Sequence, residues 1–416
     1  MHITDTPLEA IAAVAARARS EFIGLAPILR MSINGGDLRG LAQLLLDAAS
    51  REEDNACLWM NLSTAMYALE LEQPGTAVQR QALDMQRTYT RASSQPATFR
   101  LLMLMAPGNL AENTPLDCLL EDSPVELICH FVSPDAVFPM PLPEHDALLV
   151  AFSDSDLNSP YLAHLAPILE QWPRPVINRP AFIANTERSH ASRMLQDVPG
   201  LVMPLTYQMP RGAVEQAALA KGDACGPAAF PIIVRPFGSQ GGHGLARVAD
   251  AAELASYLEQ VHAPELYVSP FVDYSGADGQ FRKIRVALLD GVPYVSHMAV
   301  SSHWMVHYLN AGMYEDAAKR REEEAFMDRF DEFKQRHAVA LRAIYERCGL
   351  DYLCIDCAET RDGQLLVFEI DHVMVVHSMD SLALFPFKHV HMAKLRHAFE
   401  DYLYRLRAAA TESEPS

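Results

Sequence analysis

The 416-residue sequence predicts a protein of mixed α/β and α+β class with an all-α N-terminal region, and three observations carry that expectation. Residues 1–95 are rich in Ala, Leu, Glu, Gln and Arg and seldom alternate, which is the texture of helices. From Phe99 the chain changes to short apolar runs between loops and helices, as buried parallel strands require. In the C-terminal half, Asp290-Gly291 and Asp362-Gly363 each interrupt a run that alternates apolar with polar residues. Asp-Gly tolerates the positive φ angles of a tight turn, so both read as β-hairpins.

With 50% hydrophobic and 21% charged residues the chain is long enough for several domains and a substantial core. A net charge of −19 argues against a general nucleic-acid or anionic-membrane partner, which needs an extended basic surface. No apolar run approaches the ~20 residues of a membrane span, and the first residues lack a basic stretch followed by an apolar one, so a cytoplasmic protein is expected. Seven scattered cysteines fit reduced thiols. Cys354 and Cys357 form a nominal CxxC, but on an extended strand they point to opposite faces and make no metal or redox pair.

The elements follow in order. In the helical region, ACLWMNLSTAMYALELEQPGTAVQRQAL resembles a tetratricopeptide helix pair, with Trp59, Leu62 and Ala82 at fitting positions; a generic helical bundle is an equal alternative. FRLLMLMA, VELICHFV and DALLVAF read as strands of a small parallel sheet ending near PVIN, with a helix capped by Ser159 and opened by Pro160 between them. The loop PGNLAENTPLDCLL follows the first of these strands, at the edge where such sheets bind ligands. Next come the strand PIIVRP, the loop GSQGGHG, a helix with Asp250 and Glu253 at capping-box spacing, and the strand LYVSPFVD. The hairpin about Asp290-Gly291, one long helix from about Asp316 to Cys348 closed by Gly349, and the hairpin about Asp362-Gly363 complete the chain. The expected division is 1–95 helical, 96–184 small α/β, 185–265 and 266–405 as two further units, and 406–416 a flexible tail.

A two-residue turn at Asp362-Gly363 pairs Asp356 with Glu369 and Cys354 with Asp371, and alternation places Asp356, Glu369 and Asp371 on one face. The reverse face carries Leu353, Ile355, Cys357, Leu366, Phe368 and Ile370. Facing Cβ atoms lie roughly 4.5–5.5 Å apart, so three ionised carboxylates there repel unless one is protonated or cations are supplied. Oxygen-only ligands suit Mg²⁺. The other hairpin repeats the logic with cations. Lys283 and Arg285 share a face with Tyr294, Ser296 and Met298, opposite Ile284, Val286, Leu288, Val295 and His297. GSQGGHG is glycine-rich because main-chain N–H groups approach phosphate only where no Cβ intervenes, and Arg235 stands just before it. No GK[ST] follows, so it is not a Walker loop.

A glycine loop after a strand, a hinge strand, a basic hairpin and a terminal acid hairpin, in that order from about residue 99 to 400, resemble the ATP-grasp superfamily, the carboxylate-amine ligase group that includes D-alanine:D-alanine ligase and glutathione synthetase. The resemblance implies an ATP-grasp fold, with 96–184 the preceding α/β domain, 185–265 the small subdomain and 266–405 the large subdomain. It implies ATP and Mg²⁺ as cofactors, Asp356, Glu369 and Asp371 as metal ligands, and carboxylate and amine substrates joined as an amide through an acyl phosphate. Ser239, Gly241, Gly242, His243 and Gly244 then cover phosphate, Ser269, Pro270, Phe271 and Val272 receive adenine through main-chain groups, and Asp273 meets the ribose. Arg235 and Arg188 stand where the family has phosphate-binding lysines, Lys283 accompanies them, and Arg285 holds the transferred phosphate. The family's Glu-x-Asn is Glu-x-Asp here, and Arg's planar fork replaces an ammonium at two places.

His303 and His307 follow the basic hairpin and are candidates to contact substrate or acyl phosphate; His372, His377, His389 and His391 are weaker candidates. The helical extension implies a peptide or protein substrate, because repeat surfaces hold extended chains. Two alternatives remain: a small-molecule kinase of the same architecture, and a nucleotide-binding scaffold that acts through its helical region. Oligomeric state stays open, a homodimer included.

Overall fold

The computed structural model describes residues 7–133, 142–239 and 241–412, with only backbone for 7–10. Gln240 of the glycine loop, residues 1–6 of the helical region and residues 413–416 of the expected tail lie outside it. The fold is mixed α/β, as the sequence texture predicts.

Five helices open the chain: Pro7–Ser20, Ala26–Ile33, Leu38–Ala49, Ala56–Ala68 and Glu72–Met85. Asp37 and Asn55 cap two of them, accepting from the N–H groups of Gly40 and Leu58. The expectation of helix through residue 95 fails after Met85. Thr88–Arg91 is a strand, β1, because Thr-Tyr-Thr-Arg buries Tyr89 and Arg91 by alternation. It pairs antiparallel with β3 (Val125–Phe131), which lies parallel to β2 (Phe99–Met105). β4 (Ala147–Val150) and β5 (Val176–Ile177) continue the parallel sheet in the order β1-β3-β2-β4-β5.

Both faces of this sheet are covered, as parallel strands demand. Leu102, Leu104, Leu148 and Val150 join a core with Tyr161, Leu162 and Leu165 of the helix Ser159–Glu170. That helix has Asn158 at its cap position, so Ser159 lies inside it. Leu101, Met103 and Leu149 share the other core with Leu45, Leu58, Trp59 and Leu62 of the helical region and with Leu395 and Phe399 of the last helix, Pro386–Glu412. The last helix therefore takes in residues 406–412 of the expected tail.

A middle sheet follows, antiparallel throughout. Before it, β6 (Leu201–Val202) leaves to join the terminal sheet; β7 (Tyr207–Pro210), a small hairpin of β8 (Ala224–Cys225) and β9 (Ala228–Ala229), β10 (Ile232–Pro236), β11 (Ala246–Val248) and β12 (Glu265–Pro270) come next. The middle order is β11-β10-β12-β7, with its own core around Val214, Leu254 and Val268. The terminal sheet is β14-β13-β15-β16-β6, formed by β13 (Phe281–Leu289), β14 (Val292–Ser301), β15 (Tyr352–Glu359) and β16 (Leu365–Asp371). Chain order and sheet membership thus disagree at both ends of 185–265: β6 belongs with the terminal sheet, and β12 with the strands before it.

The long helix expected over 316–348 is three: Ala317–Asp328, Phe330–Arg336 and Ala338–Cys348, interrupted where Arg329 and His337 leave helical dihedrals. Tertiary contacts override propensity here: the buried His337 ring sits 2.8 Å from Glu359, and Phe330 and Phe333 are buried in the core. Gly349 ends the last piece at φ 72, as expected of a left-handed cap.

Each hairpin carries a bulge that the alternation did not announce. In β13–β14 it lies between Arg285 and Val286, so Arg285 faces His297 and Ile284 faces Met298; His297 and Met298 exchange the faces expected of them. In β15–β16 the turn is longer than two residues, since Thr360 N–H donates to Gln364 O (3.0 Å) and only Gly363 has positive φ. A bulge between Asp356 and Cys357 then restores the expected pairing of Asp356 with Glu369 and Cys354 with Asp371. Between turn and bulge the strand is offset, so Leu366 and Phe368 leave the expected core face and Leu365 and Val367 take it. Cys354 and Cys357 enter two different cores as free thiols.

Candidate active site

The middle and terminal sheets face one another across a cleft of about 460 Å³. It gathers Arg188, Arg235, Gly241, Gly242, the hinge residues Ser269–Val272, Lys283, Arg285, His307, Asp356, Glu369 and Asp371 from well-separated parts of the chain. Ser239, His243, Gly244, Asp273 and His303 do not line it.

The acids and cations meet across the hairpins. Arg285 grips Asp356 with two bonds, Nε to Oδ1 at 2.8 Å and Nη2 to Oδ2 at 3.0 Å, and Lys283 Nζ lies 2.7 Å from Oδ2. Asp356 is buried, which by itself raises its pKa, but the charges of Arg285 and then Lys283 outweigh burial and hold it well below the usual carboxylate range. Arg285 also donates Nη1 to Val375 O at 2.9 Å, tying the segment after the acid hairpin to the cleft floor. Arg188, the first residue of the helix Arg188–Met194, pairs with Glu369. The helix start is fixed by Glu187, whose carboxylate accepts from Ser189 and His190 N–H.

Arg235 differs. Among the described residues no carboxylate comes within ion-pair distance of it, and its Nε donates to Ser239 Oγ at 3.0 Å while Nη2 donates to Ser239 O. Burial, reinforced by the like charge of Arg188, pulls its pKa down to about 10. Ser239 thus acts on the cleft through Arg235. A buried cation beside another cation is stabilised by an anion between them.

The glycine loop needs its glycines. Gly238, Gly241, Gly242 and Gly244 all have positive φ, and a Cβ on Gly242 would lie 2.6 Å from His307 Nε2. The loop and the His307 segment therefore touch over the cleft. Burial, and then the charge of Lys283, lower the His307 pKa. His303 instead accepts from Met305 N–H at 3.2 Å beside Trp304 and stands exposed.

At the hinge, Phe271 N–H donates to Pro231 O at 2.9 Å and is not free for a base. Asp273 sits at the rim, accepting from Ser275 N–H and lying 3.7 Å from Arg361. Sequence reasoning missed the apolar walls: Ile233 of β10 on one side, Leu366 of β16 on the other, and Trp304, whose ring meets Phe271 edge-on at 5.9 Å. Trp304 was visible in SSHWMVHY as a tryptophan just after the basic hairpin; Leu366 was hidden by the register offset.

The remaining histidines lie apart. His372 Nε2 donates to Phe152 O (3.1 Å), His389 Nε2 donates to Asp380 O (2.9 Å), and His391 lies 3.3 Å from Asp328. Burial draws His372 and His377 down to about 4.

The three acids of the expected metal set differ in their partners. Among the described residues no group of three His, Cys, Asp or Glu side chains is disposed to hold a metal. The reason is chemical: Asp356 already has two cations of its own. Glu369 and Asp371 remain. Burial first, and Glu369's charge second, push Asp371 up to about 7, the response of a carboxylate short of positive charge. That donor pair fits Mg²⁺, which takes one or two carboxylates and completes its shell with phosphate and water.

No family model and no curated protein matches the sequence. In structure the chain is similar to a RimK domain ATP-grasp protein from Sphaerobacter thermophilus DSM 20745, with 17% identity and a TM-score of 0.41 over 70% of this chain and 97% of that one. It is also similar to VanG D-Ala:D-Ser ligase from Enterococcus faecalis (14% identity, TM-score 0.45, 75% of this chain, 100% of that one) and to D-alanyl-alanine synthetase A from Vibrio cholerae O1 biovar eltor str. N16961 (15% identity, TM-score 0.45, 77% of this chain, 100% of that one).

Proposed function

We propose that the chain is an ATP-grasp enzyme, an ATP-dependent carboxylate-amine ligase. The observation that carries the reading is the cleft between the two sheets, where a glycine loop, an apolar slot and Arg188, Arg235, Lys283 and Arg285 converge beside Glu369 and Asp371. Adenine lies between Ile233 and Leu366 against the hinge, with the phosphates running toward Arg235 and Arg188. Lys283 and Arg285 together exceed Asp356 by one positive charge, which faces the γ-phosphate.

A substrate carboxylate oxygen attacks the γ-phosphorus, the bond to the β-phosphate oxygen breaks, and ADP leaves an acyl phosphate. An amine then attacks the acyl carbon, forming the C–N bond as phosphate departs and the amine gives up a proton. Mg²⁺, held by Glu369 and Asp371, offsets charge on the phosphates when bound. The protein's cations stabilise the transferring group without reorganising, because Asp356 and Ser239 already fix them. The touching glycine loop and His307 segment exclude the water that would hydrolyse the acyl phosphate. Among the described residues no helix is long and apolar enough to cross a membrane.

The test is an ADP-release screen over pairs of carboxylates and amines, with mass analysis of products. Full ADP release that needs both partners, and a product lighter than their sum by one water, is expected. A single phosphorylated product makes the protein a kinase; Mg-ATP binding without ADP release under any pair makes it a scaffold.

A further inference from the structure

A second cavity, of about 80 Å³, lies between the helical region and the carboxyl edge of the first sheet. Met60 and Tyr67 come to it from the helices, Phe22 from the link between the first two, and Met103, Met105 and Phe131 from the strands. One cation lines it. Arg91, at the end of β1, is 7% exposed; its Nη2 reaches Glu121 O only at 3.4 Å, and its Nη1 is buried with no hydrogen-bond partner among the described residues. Leaving a buried charged donor unsatisfied is costly, so the position asks for an acceptor.

The cavity adjoins the cleft. Leu110 lines both, and Thr114, which lines the cavity, donates its hydroxyl within reach of Ala151 O (3.0 Å) and His372 O (3.1 Å), the residue following Asp371. The same loop carries Asp117, whose Oδ2 accepts from Leu25 N–H (2.6 Å) and Ala26 N–H (3.0 Å). Asp117 thereby locks the loop to the start of the second helix and leaves Arg91's Nη1 without that oxygen.

We propose that this cavity is a substrate subsite, in which Arg91 holds the non-reacting carboxylate of a small substrate with a compact apolar body, its reacting end directed past Leu110 toward Asp371. The inference rests on the ligase reading and names the substrate class for it. Arg91 alone supplies positive charge there, a single unit, and its planar fork matches a carboxylate better than a dianionic phosphate. The methionine walls adapt to an alkyl group, and the space equals several waters at roughly 10–15 Å³ each. The helical region is then a wall of the substrate site, not an arm for docking proteins.

The experiment titrates the full chain, loaded with Mg²⁺ and the non-hydrolysable analogue AMP-PNP, with 2-aminobutyrate, norvaline, leucine and methionine, each alongside its carboxamide. At least one acid is expected to bind saturably, its amide about tenfold or more weaker, the size of a lost charged hydrogen bond. Arg91→Met should erase that preference, acid and amide then binding alike, with AMP-PNP affinity within about twofold of wild type. Thr64→Leu, which narrows the cavity and keeps Arg91, should weaken acid and amide together; it decides the matter if Arg91→Met does not fold. Wild type that takes AMP-PNP but none of the acids, or binds acid and amide equally, overturns the subsite and leaves the ligase reading standing. Failure of wild type to take AMP-PNP overturns the ligase reading itself.

Discussion

The two hairpins of the terminal sheet share an Asp-Gly turn and a bulge, yet they depart from simple alternation in opposite ways. The basic hairpin turns tightly, Asp290 at φ 50 and Gly291 at φ 74, and keeps its expected register from Leu289–Val292 to Val286–Val295 before the bulge shifts everything from Arg285 onward. The acid hairpin starts out of register because its turn is longer, and its bulge brings Asp356 and Glu369 back into line. Both bulges fall beside the residues that meet across the sheet, where Arg285 pairs with Asp356. A bulge leaves one residue unpaired, bends its strand and shifts the register beyond it, which re-aims the side chains around it. The difference teaches that alternation is trustworthy as far as the first inserted residue, and that insertions accumulate where chemistry needs an unusual direction.

The sharpest way to break the comparison is to remove the acid hairpin's cleft carboxylate. Glu369→Ala deprives Arg188 of its partner and leaves Asp371 alone, and should lower ADP release by about a thousandfold, the scale of losing a preorganised electrostatic group. Its melting temperature should move little, since the side chain is partly exposed. Full activity in a folded Glu369→Ala protein would sink the site assignment.

Next in size is the joint between the hairpins. Asp356→Asn leaves Arg285 and Lys283 without their counter-charge and should cost about 3–5 kcal/mol at pH 7 by denaturant titration. The sign of its pH dependence follows from the depressed folded pKa of Asp356. The pair's contribution is complete above the unfolded value of about 4 and is lost as pH falls below it. The gap between wild type and Asp356→Asn should therefore narrow as pH falls below about 4, by at most about 1.4 kcal/mol per pH unit, while a constant gap would show that the charge is not what matters. Lys283→Met should cost less than Asp356→Asn, because Arg285 still bridges both oxygens.

Much of this was legible because it is local. Asp-Gly turns, the left-handed Gly349 and the alternation around Asp356 and Glu369 depend on neighbouring residues, and the cations and acids of the cleft could be named from them. What was hidden depends on tertiary partners. Nothing in Thr88–Arg91 states that an antiparallel strand awaits it across the sheet, and nothing in FDEFKQRH states that Phe330 and His337 will interrupt a helix to reach the core. In the helical region, Leu62 and Ala82 are both fully buried in the core that the helices share with the first sheet, a partnership no local pattern announces. Sequence spacing gives adjacency and not partnership: Asp356 faces Glu369 as expected but is bound to Arg285.

The finest comparison lies in the turns themselves. Gly291 and Gly363 have nearly the same left-handed φ, 74 and 79, so alanine at either pays about 1–2 kcal/mol of backbone strain. Their surroundings differ. A Cβ at Gly291 would lie 3.0 Å from Tyr345 Cδ1, whereas one at Gly363 meets nothing within 4 Å. Gly363→Ala should therefore show the strain alone, and Gly291→Ala should be the less stable of the two in urea, by whatever displacement of the Tyr345 ring costs. Because a bulge separates the Gly363 turn from Asp356, that substitution should also leave ADP release at the wild-type rate. Equal losses at the two turns would mean that the ring moves aside freely. A drop in turnover with Gly363→Ala would mean that the bulge does not insulate the acid pair from its turn.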